Sequence, residues 1–147
     1  MPRPIHAHID LSALKNNLRI ARRHTSSRIM AVIKANAYGH GLLRIAKALE
    51  EAEGIALLDI QDAIQLRDAG NRQTILLLEG FFASEDLPLI AEYDLATVIH
   101  STQQLDWLDA QRSLFATRQA LVQTRLAYLQ NQVSLYKALG GGASPRP

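Results

Sequence analysis

The segment Ala31-Val32-Ile33-Lys34-Ala35-Asn36-Ala37-Tyr38-Gly39-His40-Gly41 sets a lysine at the end of a short apolar run, with a tyrosine four residues beyond it. An ammonium is costly to bury without a partner. Burial lowers a lysine's pKa and frees the amine to form a Schiff base with an aldehyde. The turn that follows is small, contains glycine and opens a helix, a place that can face an anionic group. A plainer reading stays open: Lys34 carries its charge out to solvent beside a turn, and Tyr38 packs at a helix start. His6, His8, His24 and His100 show no ligand spacing, so no metal site is expected.

The surrounding elements alternate. Asp10-Leu11-Ser12 precedes a helix to about Arg23, with Leu11, Leu14, Leu18 and Ala21 on one face. Residues 28–35 form a short run rich in β-branched residues, long enough for a buried strand. A helix follows from Gly41 to Glu51, with Leu42, Ile45, Ala46 and Leu49 on one side. Further strands are expected at 54–60, 74–78 and 96–100, separated by helices at 61–69, stopped by Gly70, and at 84–92. The strands are continuously apolar, as in a parallel sheet covered on both faces. This order gives an α/β fold, either a (β/α) barrel or a doubly wound sheet. Barrels of this kind place their active sites at the C-terminal strand ends, where Lys34 falls, and a complete one takes about 250 residues. Four βα units fit before residue 110, enough for half a barrel.

From Ser101 the pattern changes. Apolar pairs recur every seven residues at Trp107/Leu108, Leu114/Phe115, Leu121/Val122, Tyr128/Leu129 and Leu135/Tyr136, widened by Leu105, Leu126 and Val133. With no Pro or Gly before Gly140, one helix over 102–139 would run about 57 Å. A stripe of period seven belongs to coiled-coil packing, and most of its length needs another partner. Charge shifts at the same place. Residues 1–110 hold all 14 acidic residues and a net charge of −3, while residues 111–147 hold no Asp or Glu and a net charge of +5. The basic residues there are spread rather than clustered, which favours a solvated helix face over nucleic-acid contact. The expected division is a domain over 1–110, a long amphipathic helix over 111–139, and a disordered tail over 140–147.

Composition narrows the class further. The chain has 48% hydrophobic and 20% charged residues and no cysteine. Disulfides and thiolate metal sites are excluded, and a cytoplasmic setting is expected. No run approaches the ~18 apolar residues of a membrane span, and the N-terminus lacks the apolar core of a signal peptide.

The motif AVIKANAYGHG resembles the pyridoxal-phosphate (PLP) attachment motif of alanine racemases over its whole length. The likeness extends through residues 3–110, in IDLSAL and NNL, GIALLDIQDAIQLRDAG, TILLLEGFF and the TVIHS stretch. It implies about four βα units of a PLP fold type III barrel, a partial TIM-type barrel, followed by one long helix. It implies a PLP-dependent racemase that interconverts L- and D-alanine for peptidoglycan synthesis, with alanine as substrate and a homo-oligomeric state. Lys34 would hold the cofactor and serve as one of two acid/base groups. Tyr38 would hydrogen-bond the cofactor phosphate, and Leu78 would pack beside the cofactor, although a Leu ending a buried strand is core in any case. His40 would support the site rather than act as a base. The family's second acid/base tyrosine, supplied across a dimer interface, and much of its cofactor grip come from later regions with no counterpart here. In their place Leu108 to Gly142 resembles the last periplasmic helix of TolC-like outer-membrane efflux channels, including the LYKALGGG ending. The chain therefore reads as a chimera, inactive or weakly active as it stands.

Overall fold

The computed structural model describes residues 6–138, with side chains to residue 134, so the expected tail at 140–147 lies outside the described residues. The chain divides into two compact units, one ending at Gln104 and the other beginning at Leu105.

The first unit opens with α1 (Leu11–Arg23), whose N-cap Asp10 accepts hydrogen bonds from the amides of Ser12 and Ala13 at 2.8 and 3.0 Å. Those are donors that the helix itself leaves unpaired. Then follow β1 (Met30–Val32), α2 (Lys34–Tyr38), α3 (Leu42–Ala48), β2 (Gly54–Leu57), α4 (Ile60–Asp68) and β3 (Thr74–Leu77). A single 3-10 turn at Ser84–Asp86 leads into α5 (Leu87–Glu92), and β4 (Ala96–Thr97) closes the series. All three strand pairings are parallel, and the order is β1-β2-β3-β4. A doubly wound sheet reverses direction at a switch point, whereas a barrel keeps winding one way. The unbroken order is barrel winding.

The register puts Ile55, Leu57, Ile75 and Leu77 on the face covered by α4, where each is 1% exposed or less. Each such side chain stabilises by about 1.5–3 kcal/mol relative to exposure. The opposite face differs from the expected two-sided burial. On β1, Met30 and Val32 are 40% and 43% exposed. In a closed barrel this face would point inward, against strands that four βα units do not supply. Gly54 lies opposite Met30; a Cβ there would come within 2.8 Å of the Met30 Cε and 3.0 Å of the Thr74 carbonyl.

Two polar anchors fix the connections. The Arg67 guanidinium donates to the carbonyls of Asn71, Gln73, Tyr93 and Asp94, tying the end of α4 to the approaches of β3 and β4. The Glu53 carboxylate accepts from the Ile29 amide at 2.8 Å and pairs with Arg22 at 2.7 Å, joining α1 to the start of the sheet. Both bonds hold that carboxyl below its ordinary pKa, the Ile29 amide first.

The last helix, α6 (Thr102–Ala138), starts on a reciprocal cap. The Ser101 hydroxyl accepts from the Gln104 amide at 3.2 Å, and the Gln104 side-chain oxygen accepts from the amides of Ser101 and His100 at 3.3 and 2.6 Å. The Gln104 side-chain nitrogen donates to the Phe81 carbonyl at 2.7 Å. This explains why Gln104 is buried. Beyond it, the 37-residue helix runs about 55 Å without a break.

Candidate functional site

The chain leaves β1 in an unusual way. Ile33 donates its amide to the Ala56 carbonyl at 3.0 Å, which carries the ladder one residue past the strand. Lys34 then begins α2, in which Ala35, Asn36, Ala37 and Tyr38 all have φ between +52° and +55°. Left-handed backbone costs an L-residue other than glycine about 1–2 kcal/mol, so four in succession are a considerable local strain. Gly39, at φ +81°, continues the hand at no such cost. Hydrogen bonds close the turn: Ala37 N–H to the Ile33 carbonyl and Gly39 N–H to the Ala35 carbonyl, both at 3.0 Å.

This turn sorts its side chains. Ile33 and Ala37, four apart, are buried, and they pin one side of the turn to the core. Lys34 is half-buried, and Tyr38, four residues on, is 58% exposed. Neither the Lys34 amine nor the Tyr38 hydroxyl has a hydrogen-bond or ion-pair partner among the described residues. Asn36 spends its carboxamide on structure, since its Oδ1 accepts from the Leu42 amide at 2.8 Å and caps α3. That bond alters one expectation. The start of α3 is not an open anion site, because one of its first donors is already taken and the helix has only seven residues.

Leu78 stands at the same C-terminal edge. Its amide donates to the Leu57 carbonyl at 2.8 Å, and its carbonyl accepts from His100 Nε2 at 2.7 Å. A carbonyl can only accept, so that ring nitrogen carries the proton. Lys34 and Leu78 follow β1 and β3, with β2 between them, which sets their backbones about 10 Å apart. A cavity of about 300 Å³ opens nearby, lined by Leu58, Ile60, Gly80 and Phe81 among others. None of Lys34, Tyr38 and Leu78 lines it.

A strained turn carrying a half-buried, unpartnered lysine at the C-terminal end of a parallel strand is an arrangement that folding alone does not require. The family model for the alanine racemase N-terminal domain matches residues 9–124. The chain belongs to the alanine racemase family. An alanine racemase from Nitrosospira multiformis is 60% identical over 113 residues, covering 76% of this chain and 32% of that protein. One from Nitrosomonas eutropha is 58% identical over the same length and is covered to 31%. Among solved structures, the alanine racemase of Acinetobacter baumannii matches with a TM-score of 0.68 at 30% identity, over 74% of this chain and 33% of that one. The biosynthetic alanine racemase of Pseudomonas aeruginosa matches at 0.65 and 36% identity, over 69% and 29%. The chain thus spans about a third of the length of the curated racemases it matches.

Beyond the expected Lys34, Tyr38 and Leu78, the structure adds two residues at this edge of the alanine racemase domain. One is Asn36, whose residue type tolerates left-handed backbone and caps helices; that was the available signal. The other is His100, read only as lacking metal-ligand spacing. His40 is exposed, and its side chain makes no hydrogen bond among the described residues, so the support expected of it is not seen.

Proposed function

We propose that the first unit is a PLP-holding part of an alanine racemase, with Lys34 as its attachment residue. The observation that carries this reading is the left-handed turn after β1, which bears a half-buried Lys34 and an exposed Tyr38, neither with a side-chain partner among the described residues. That donor set fits the group: an amine for the cofactor aldehyde and a phenol for its phosphate. When bound, PLP would supply an electron sink that acidifies the substrate α-carbon. Lys34 would anchor the cofactor and move a proton at that carbon. Tyr38 would donate its hydroxyl to the phosphate. Leu78, held through its carbonyl by His100, would pack beside the ring.

The family reaction, interconversion of L- and D-alanine in a cytoplasmic homo-oligomer, would need a second acid/base group that Lys34 alone does not provide. We therefore expect this 147-residue chain to hold the cofactor better than it turns over alanine. We propose further that the racemase part runs over 1–110 and that the helix from 111 onward is of the TolC-like efflux type, which would make the whole a chimera. A second reading, a PLP-binding module without catalysis, predicts a retained cofactor band with no turnover of alanine.

The deciding experiment adds PLP to the purified chain and to Lys34→Ala, dialyses both and records absorbance. Borohydride reduction and peptide mapping then locate any label. A visible band retained only by the parent, with the label on Lys34, supports the proposal. A band of equal strength in both proteins, or none in either, removes it.

A further inference from the structure

We propose that α6 docks an acidic amphipathic helix of another protein along the face between Leu114 and Val133. Two columns of large apolar side chains repeat every seven residues on this helix. Leu114, Leu121 and Tyr128 form one, and Phe115, Val122 and Leu129 form the other; all six are exposed. Residues at i+3 and i+4 share a helix face, so Arg118 falls between Leu114/Phe115 and Leu121/Val122. Arg125 falls likewise between Leu121/Val122 and Tyr128/Leu129. The two arginines run down the middle of the apolar stripe, rather than on the opposite, solvated face that the sequence suggested.

Neither arginine makes an ion pair among the described residues, and the sequence has no Asp or Glu after Asp109. Any partner that covers the apolar columns also covers the stems of both arginines, and a guanidinium held there without a counter-charge is destabilising. The partner must therefore bring carboxylates. A second copy of α6 does not: in parallel register it sets Arg118 against Arg118, and antiparallel about residues 121 and 122 it sets Arg118 against Arg125. A lipid surface favours an unbroken apolar face with cations on the polar side, and here they interrupt it. The period of seven selects a helix as occupant. The neighbouring edge suits close packing too, because the hydroxyls of Thr117 and Thr124 bond back to the carbonyls of Ser113 and Ala120 at 2.9 Å and leave their methyls outward.

The test uses the full chain and labelled synthetic helical peptides that carry two heptad columns of Leu. At the positions facing Arg118 and Arg125, one peptide carries Glu and the other Lys. Fluorescence anisotropy should show the Glu peptide binding roughly tenfold tighter or more, with the difference shrinking as salt rises. The double variant R118E/R125E, on an exposed helix face and checked by circular dichroism, should reverse the preference. Equal affinity for both peptides, or no reversal in the variant, would overturn the proposal. So would a preference for mixed phosphatidylcholine and phosphatidylglycerol vesicles over the Glu peptide. Sedimentation that shows an oligomer of the chain surviving R118E/R125E would assign the face to a second copy instead.

Discussion

Ala35 shows how one residue can serve position at the expense of stability. It is exposed, and its φ of +52° and ψ of +57° suit glycine far better than alanine. Ala35→Gly should therefore raise stability by roughly 0.5–1 kcal/mol while loosening the turn that fixes Lys34. Thermal melts should move up, and the share of chain retaining PLP after dialysis should fall. Unchanged retention in a more stable variant would show that the strain positions nothing. Of the proposed site residues, Lys34 stands out in the sequence as a lysine ending an apolar run, whereas the roles of Tyr38 and Leu78 come only through the resemblance to alanine racemases. The left-handed turn was not legible. Alanine and tyrosine carry no signature of positive φ.

At the scale of elements, the helices were read more accurately than the strands. Asp10 and Asp59 each accept a backbone amide at the helix starts expected for α1 and α4, and Leu42, Ile45, Ala46 and Leu49 are all buried as their spacing required. Strand ends were overrun. The expected strand at 96–100 pairs at Ala96 and Thr97, keeps one more bond from the Val98 amide to the Leu77 carbonyl at 3.1 Å, and ends there because His100 and Ser101 turn their amides to Gln104. Hydropathy does not register such side-chain competition for the backbone. The tie between α1 and the sheet yields a pH prediction. The Ile29 amide and Arg22 keep the Glu53 pKa lowered in the folded chain. Its contribution is thus fully present above the ordinary carboxylate range and is lost as pH falls through the lowered value. Melting temperature should decline more steeply in mild acid for the parent than for Glu53→Gln, and the two profiles should converge at the lowest pH. Parallel profiles would show that this contact is not linked to folding.

Across the whole molecule, the two units should not melt alike. The first has a buried core between sheet and helices; the second is a helix whose Leu121, Val122 and Tyr128 are each more than 60% exposed. A helix without tertiary cover loses its order gradually. Helical circular dichroism of the dilute chain should fall in a broad slope from low temperature, followed by one sharper step. A single sharp step that moves up with protein concentration would mean that the helix is covered by another copy. The winding of the sheet carries a different consequence, for how the chain is made. Each strand pairs with the next one in sequence, and partner residues lie only 20 to 24 positions apart. Contacts at this separation do not wait for distant sequence. During synthesis, β1 can therefore zip to β2 soon after Leu57 clears the ribosome, and β4 can complete the sheet before α6 has emerged. The unit assembles from its N-terminus in the order it is translated, so whatever chain is joined after Ser101 arrives on a sheet already formed.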